Sequence, residues 1–441
     1  MRGRADRQPK MFFSIDLESR IRADHPLRPL KQVVDRILAG MSERFAAAYS
    51  RTGRPGVPPE RLLKALLLMA IYSVRSERQL VERIDTDLLF RWFLDMDPAE
   101  EVFDATAFTH NRSRLDEHGL TAAFFEAVVE LAVDAGLVSD AHFTVDGTLI
   151  ESCASIKSLR PIDERPADSG GDRPGGDRPG GDRPGGDRPG GDRPGGDRPG
   201  GDRPGGDRPG GDRPGGDRPG GDRPGGDRPG GGGFKSRNPL VDFRGQKRSN
   251  RTHRSATDPE ARLYRKAAGQ ETKLAHLGHS LCENRHGLVV AVEVTEANGT
   301  AEREAALAML DRVRIGGPRG VRSGTLGADR GYDSGPFCLE LERRGIEPHV
   351  ATRRTARDPA TVPPSQRAAH AARLRMLARM EGETYAISQR VRKKAEEPFG
   401  WMKTIGGLAR GRFAGRWKLK QQMETAAAAF NLIRLRTLLP A

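Results

Sequence analysis

The chain has 441 residues and a net charge of +14, with a pI near 10.1. Asp and Arg are balanced in its central repeat, so the positive excess falls on the flanks and points to a polyanion, nucleic acid first. Three scattered cysteines (Cys153, Cys282, Cys338) exclude a disulfide framework or a C-x-x-C zinc site. No apolar run reaches transmembrane length and the polar start has no signal-peptide core, so a soluble, cytoplasmic protein without a membrane partner is expected.

Residues 1–137 read as helical. "VPPERLLKALLLMAIYSV" places Pro59 at a first helical turn, and its apolar residues cover most of a helix surface. "SERQLVERIDTDLLFRWFL" opens with Ser76 as N-cap and carries Leu80, Ile84, Leu88 and Leu89 at helical spacing. "DATAFTHNRSRLDEHGL" starts from Asp104 and stops at Gly119; "TAAFFEAVVELAVDAGLV" starts from Thr121 and closes at Gly136. A bundle of short helices can offer one of them to the DNA major groove. "FTHNRSRL", with Arg112 and Arg114, is either that exposed basic face or a packing helix.

A strand over His142–Val145 follows, with Asp146-Gly147 as its tight end. Periodicity is then lost across 155–250, which is expected to be a flexible insertion. Its centre is "GGDRP", twelve times over from Gly170 to Pro229. Period five excludes a collagen helix, and the unit has almost nothing apolar to bury. Loop closure costs only about 0.6 kcal/mol per doubling of length, so a fold can form across it.

Beyond the repeat, Leu274–Cys282 and Leu288–Val294 form a predicted hairpin around "ENRHG". A helix over Ala301–Val313, a strand ending at Asp329, a helix over Phe337–Arg344 and a strand in "IEPHVAT" come next. "SQRVRKKAEEPFGWMKTIGG" is helical with Pro398 as a kink or restart, and "METAAAAFNLIRLRTLL" closes the chain as an amphipathic helix. With the repeat set aside, this is the element order of a ribonuclease-H-like α/β domain with a mixed sheet, 138–441, preceded by an all-α DNA-binding domain. His276 and His279 point to opposite faces of a strand and form no metal pair.

In that order the first and fourth strands are neighbours. Asp146, followed by Gly147, and Asp329, followed by Arg330-Gly331, could then face one ion, with Glu396 on the later helix closing the set. Alone, an Asp-Gly pair is most often just a turn, and Glu396 a solvated helix acid. Three oxygen donors suit Mg²⁺ or Mn²⁺, and two such ions can activate a nucleophile and stabilise a leaving 3′ oxygen.

"FTVDGTLIES", "TLGADRGYD" and "RVRKKAEEPFGWMKTIGGL" resemble the motifs of bacterial insertion-sequence DDE transposases with an InsH-like helical N-terminal domain. So do "GRPGVPPERLLKALLLMAIYSVRSERQLVERI" and "RNPLVDFRGQKRSNRTHRSATDPEARLYRK". The resemblance covers nearly everything but the repeat. It implies that Asp146, Asp329 and Glu396 are the catalytic, metal-binding triad for two Mg²⁺ or Mn²⁺. The partners it implies are double-stranded DNA, as element ends and target, and a second protomer; the setting is the nucleoid. The family motif Y-x2-R-x3-E-x6-K is met by Arg392, Glu396 and Lys403, with Gln389 in the tyrosine position. Arg392 and Lys403 would hold DNA phosphates. "RGRFAGRWKLK" is either a DNA-tracking run or a solvated loop. A non-catalytic DNA-binding remnant and a metal-dependent nuclease are the alternatives.

Overall fold

The computed structural model describes residues 16–50, 52, 56–162, 242–243, 246–265, 269–313, 323–352 and 357–439. The GGDRP repeat and most of the expected insertion lie outside them. Among the described residues, α1 (Leu17–Arg20), α2 (Leu27–Gly40), α3 (Ser42–Ala48), α4 (Pro59–Ile71), α5 (Glu77–Thr86), α6 (Leu88–Phe93), α7 (Thr106–Glu117) and α8 (Leu120–Asp134) come before the first strand.

Helical spacing explains their packing. In α2, Leu27, Leu30, Val34 and Leu38 line one buried face. In α4 nearly every side is buried, and Lys64 is tolerated because Asp35 and Asp95 pair with it. Ser76 caps α5 by accepting from the Gln79 N–H at 3.2 Å. Thr121 does not cap α8. The helix enters through Gly119 in the left-handed region, φ 57°, and Thr121 is buried inside it.

The strands are β1 (His142–Glu151), β2 (Leu159–Pro161), β3 (Asp242–Phe243), β4 (Gln246–Lys247), β5 (His253–Ser255), β6 (Arg262–Tyr264), β7 (Lys273–Glu283), β8 (Val289–Glu296), β9 (Thr325–Ala328) and β10 (Glu347–Val350). The later helices are α9 (Ala301–Arg312), α10 (Gly335–Arg343), α11 (Arg367–Arg379), α12 (Glu383–Val391), α13 (Glu396–Thr404) and α14 (Arg416–Leu438). The main sheet runs β10–β9–β1–β7–β6, and β8 also pairs with β7. β9 is parallel to both β1 and β10; β7 is antiparallel to β1, β6 and β8. This mixed sheet with its helices fits a ribonuclease-H-like fold.

Three features differ from the sequence reading. β1 does not end at Asp146-Gly147: it continues to Glu151, with Asp146 opposite Ser280 and Gly147 opposite His279. Ladder pairing with β7 overrides the local turn preference of Asp-Gly. The margins of the expected insertion are ordered, because β2 pairs with β5 from Leu159↔Ser255 to Pro161↔His253. And α14, expected to be amphipathic, is buried along most of its length from Leu419 to Leu435.

Consecutive residues of β7 face opposite sides, which shows how the sheet is covered. Leu277 packs with Ala301 of α9, whereas Gly278 faces Met423 of α14. The four alanines Ala426–Ala429 are all buried, and α14 packs against α4, α8, α13 and β8. One hydrophobic core therefore extends from Leu27 of α2 to Leu435 of α14. Among the described residues, no helix is long and apolar enough to cross a membrane.

Candidate active site

Asp146 and Asp329 emerge together from adjacent parallel strands. The last β1–β9 pair is Thr144↔Gly327, and each aspartate lies two residues further on. Both are half-buried. Asp146 Oδ1 accepts from the Gly147 N–H at 2.8 Å. Asp329 caps a 3-10 turn, Arg330–Tyr332, and its Oδ1 accepts from the Gly331 N–H at 2.8 Å.

At both glycines a side chain comes close to the bare backbone. A Cβ on Gly147 would stand 2.8 Å from Glu302 Oε1, on the first turn of α9. A Cβ on Gly331 would stand 2.9 Å from Glu302 Oε2 and 3.1 Å from Asp329 Oδ1. One carboxylate thus lies over the residue that follows Asp146 and over the turn that follows Asp329. Arg303 locks this arrangement by donating to the Gly331 carbonyl at 3.0 Å and the Gly299 carbonyl at 2.9 Å. Tyr332 is wholly buried, and its hydroxyl has no hydrogen-bond partner among the described residues. Burial, then the negative charges of Glu302, Asp146 and Asp329, hold its phenol well above the usual range.

The segment of Glu396 is anchored separately. α12 packs on β9 and β10, and the 3-10 turn Arg392–Ala395 packs on β1. Tyr385 Oη donates to the Val350 carbonyl at 3.2 Å. Gln389 donates to the His349 carbonyl, and its Oε1 accepts from Arg392 Nε at 3.3 Å. Gln389 thereby ties α12 to the sheet and orients Arg392. Glu396 opens α13 and is exposed, while Glu397 is engaged by Arg434 at 3.0 Å. Pro398 sits in the first turn of α13, where the helix restarts after the 3-10 turn. Lys403 follows Glu396 by two helical turns on the same face. Phe399 is core and Trp401 packs against it, 5.9 Å from the Phe430 ring.

Two family models match the chain: a transposase domain (DUF772) over residues 15–114, and a transposase DDE domain over residues 251–432. The chain belongs to the DDE transposases. No curated protein and no solved structure matches it. Asp329 and Glu396 fall inside the second match; Asp146 falls between the two. Its place beside Asp329 rests on the β1–β9 pairing.

The transposase does not expose Arg112. That side chain is buried, ion-paired with Glu77, and its guanidinium lies 4.0 Å from the centre of the Phe413 ring. This corrects its expected place on a DNA-facing surface: the charge serves an internal joint between α7 and the segment before α14. Arg114 is exposed, over Tyr49 at 4.6 Å, and donates to Asn111 Oδ1 at 2.9 Å. In "RGRFAGRWKLK", Arg412 is partly buried and Arg416 pairs with Glu260 at 3.1 Å, so the run is in part structural. His276 and His279 do diverge, to Asp258 and to Thr295.

DDE transposases generally use divalent metal ions. Among the described residues, no three His, Cys, Asp or Glu side chains close on a common point that could hold one. The donor chemistry nevertheless fits a hard cation: carboxylate oxygens from within β1 and just past the end of β9, and the buried Tyr332 oxygen near them, which has no hydrogen-bond partner among the described residues. The sequence reading missed Glu302. Its only signal there was an acid in a helix's first turn, which is ordinary. The two glycines were the stronger clue to something lying close.

Proposed function

We propose that this transposase binds the terminal inverted repeats of its own element, cuts the DNA there with water to free 3′-OH ends, and joins those ends to target DNA. The observation that carries this reading is the emergence of Asp146 and Asp329 side by side from β1 and β9, in a chain matched by two transposase domains. Asp146, Asp329 and Glu396 act as the catalytic carboxylates and would hold two Mg²⁺ or Mn²⁺. When bound, such ions lower the pKa of water and stabilise the charge on a leaving 3′ oxygen.

The chain's own groups do the positioning. The hydrogen bonds from Gly147 and Gly331 fix the two aspartates relative to the sheet. Glu396, exposed at the start of α13, is available to approach when DNA is bound. Arg392 and Lys403, on either side of it, and Arg114 on α7 contact phosphates, in keeping with the +14 charge. Two protomers act together, one on each element end, at the nucleoid in the cytoplasm.

A supercoiled plasmid carrying the element ends, incubated with Mg²⁺ or Mn²⁺, tests the reading. Wild type should cut and join; Asp146→Asn, Asp329→Asn and Glu396→Gln should each do neither. Variants that cut like wild type would overturn the triad. Cutting without joining would mark a nuclease, and binding alone a DNA-occupying remnant.

A further inference from the structure

The ribbon of β2 and β5, at the margins of the expected insertion, has two unlike faces. Leu159 and Ser255, opposite each other, are buried, and Leu159 packs with Ala154, Ala261 and Leu274. The next pair, Arg160 and Arg254, is also directly opposed, and both residues are exposed. Alternation along the strands turns both guanidinium groups out on the face away from that small core. Like charges directly opposite in a sheet repel and are destabilising.

Nothing acidic offsets them. Lys157, in the 3-10 turn before β2, and Arg251, in the turn before β5, are exposed as well. Among the described residues, none of these four cations is paired with an acid. The two acids of residues 246–265 are engaged elsewhere: Asp258 is buried on Ser152 and His276, and Glu260 pairs with Arg416 at 3.1 Å. Asn250 is held by the Leu263 backbone, accepting from its N–H at 2.7 Å and donating to its carbonyl at 2.9 Å. What this face presents is charge, which suits phosphate oxygens rather than base edges.

The ribbon stands just past the end of β1. The Leu274 carbonyl accepts from the Ser152 N–H at 2.8 Å, directly after β1, and the Leu274 side chain packs with Leu159 of the ribbon. Glu151 ends β1 five residues beyond Asp146, about 17 Å at roughly 3.4 Å per residue, or about five base pairs of duplex. A duplex lying along β1 from the aspartates reaches the ribbon within about half a helical turn.

We propose that the β2–β5 ribbon is a DNA-docking surface separate from the catalytic carboxylates, on which Arg160 and Arg254, flanked by Lys157 and Arg251, hold the phosphate backbone of double-stranded DNA whatever its sequence. Bound phosphates neutralise the two opposed arginines. This inference rests on the reading of DNA as the substrate.

Salt-dependent binding titrations of the full-length protein without divalent metal test it, using one fluorescent duplex that carries the element end and one of unrelated sequence. The double variant Arg160→Gln/Arg254→Gln should weaken binding to both duplexes alike, by roughly tenfold, and lower the log–log salt slope by about two ions. It should melt at or above the wild-type temperature, because the opposed charges are gone. Arg160→Lys/Arg254→Lys should keep the slope within about half an ion. The single Gln variants, each worth about one ion, decide the matter if the double variant does not fold. Removing two exposed arginines that already face acids, Arg22 beside Asp24 and Arg343 beside Glu340, should move the slope by less than about half an ion. An equal fall there would reduce the effect to net charge and overturn the ribbon's role. So would wild-type affinity and slope in the double Gln variant, or a loss confined to the element-end duplex. The titrations read binding without cutting, so a wild type that binds through the ribbon but cuts nothing would overturn the proposed catalysis and leave the ribbon standing. A wild type that binds neither duplex would overturn both readings.

Discussion

Ser152, before the repeat, donates its hydroxyl to Asp258, beyond it, at 2.7 Å across 106 positions of chain. The same carboxylate bonds His276 of β7 at 2.9 Å, and its other oxygen accepts from the Gly415 N–H at 3.2 Å, at the entry to α14. Ser152, Asp258 and His276 are all buried. One carboxylate thus joins the end of β1, the strand beside it and the C-terminal helix. Replacing Asp258 by Ala leaves a buried hydroxyl, an imidazole and an N–H without their acceptor. We expect a loss of about 3 kcal/mol, read as a lower urea midpoint with an unchanged slope. A loss below about 0.5 kcal/mol would show that this junction is not what holds the two flanks together.

That junction also bears on the repeat. The pairings β1–β7 and β2–β5 are made by residues on either side of it. Deleting Gly170–Pro229 shortens the connection between Ile162 and Asp242 about fourfold, which by the loop-closure rule favours folding by roughly 1.2 kcal/mol. DNA cutting by the deletion variant should stay within a few-fold of wild type. A hundredfold fall with the melting temperature intact would give the repeat a function of its own.

Much of the catalytic half was legible because strand alternation, helix spacing and turn residues agreed there. The hairpin of β7 and β8, α9, β9, α10 and β10 all lie within a few residues of their predicted places. The misread elements are those where distant contacts decide. Asp146-Gly147 reads locally as a turn, but β7 pairs through it. α14 reads as amphipathic because Glu424, Thr425 and Asn431 interrupt its apolar run. Yet Asn431 is buried, accepting from the Val289 N–H at 2.9 Å and donating to its carbonyl at 2.7 Å. A polar side chain can thus serve the edge of a strand, which no spacing rule registers. Glu302 was invisible for the same reason: its partners are 155 and 29 positions away.

Arg112 and Arg114 are two residues apart on α7 and should behave differently. Arg112→Ala leaves the half-buried Glu77 without its partner and removes the cation from the Phe413 ring, a change expected to cost about 2–3 kcal/mol. Adding Glu77→Gln should recover part of that. Arg114 is exposed, so Arg114→Ala should leave stability within about 0.5 kcal/mol. If the proposed phosphate contact is made, DNA binding weakens and its salt slope falls by about one ion. Thermal melts and salt-dependent binding titrations of both variants separate the two roles. Arg112→Ala melting like wild type but losing DNA affinity would return Arg112 to the DNA surface.

Glu424 makes stability depend on pH. Burial in α14 pushes its carboxyl from 4.5 up to about 7, against the pull of Lys420 and Arg312 and with the repulsion of Glu293 and Asp116. The two cations are committed elsewhere: Glu293 accepts from Arg312 at 2.7 Å and from Lys420 at 3.2 Å. Between those two values the folded protein holds the proton that the unfolded chain has released. Stability contributed by this group is therefore present below about pH 4.5 and is lost as pH rises through about 7. The full difference amounts to roughly 3 kcal/mol, at about 1.4 kcal/mol per unit. Glu424→Gln removes the titration while keeping the shape. It should melt like wild type at pH 5 and at a clearly higher temperature at pH 8. Equal differences from wild type at the two pH values would show that Glu424 does not take up a proton in the fold.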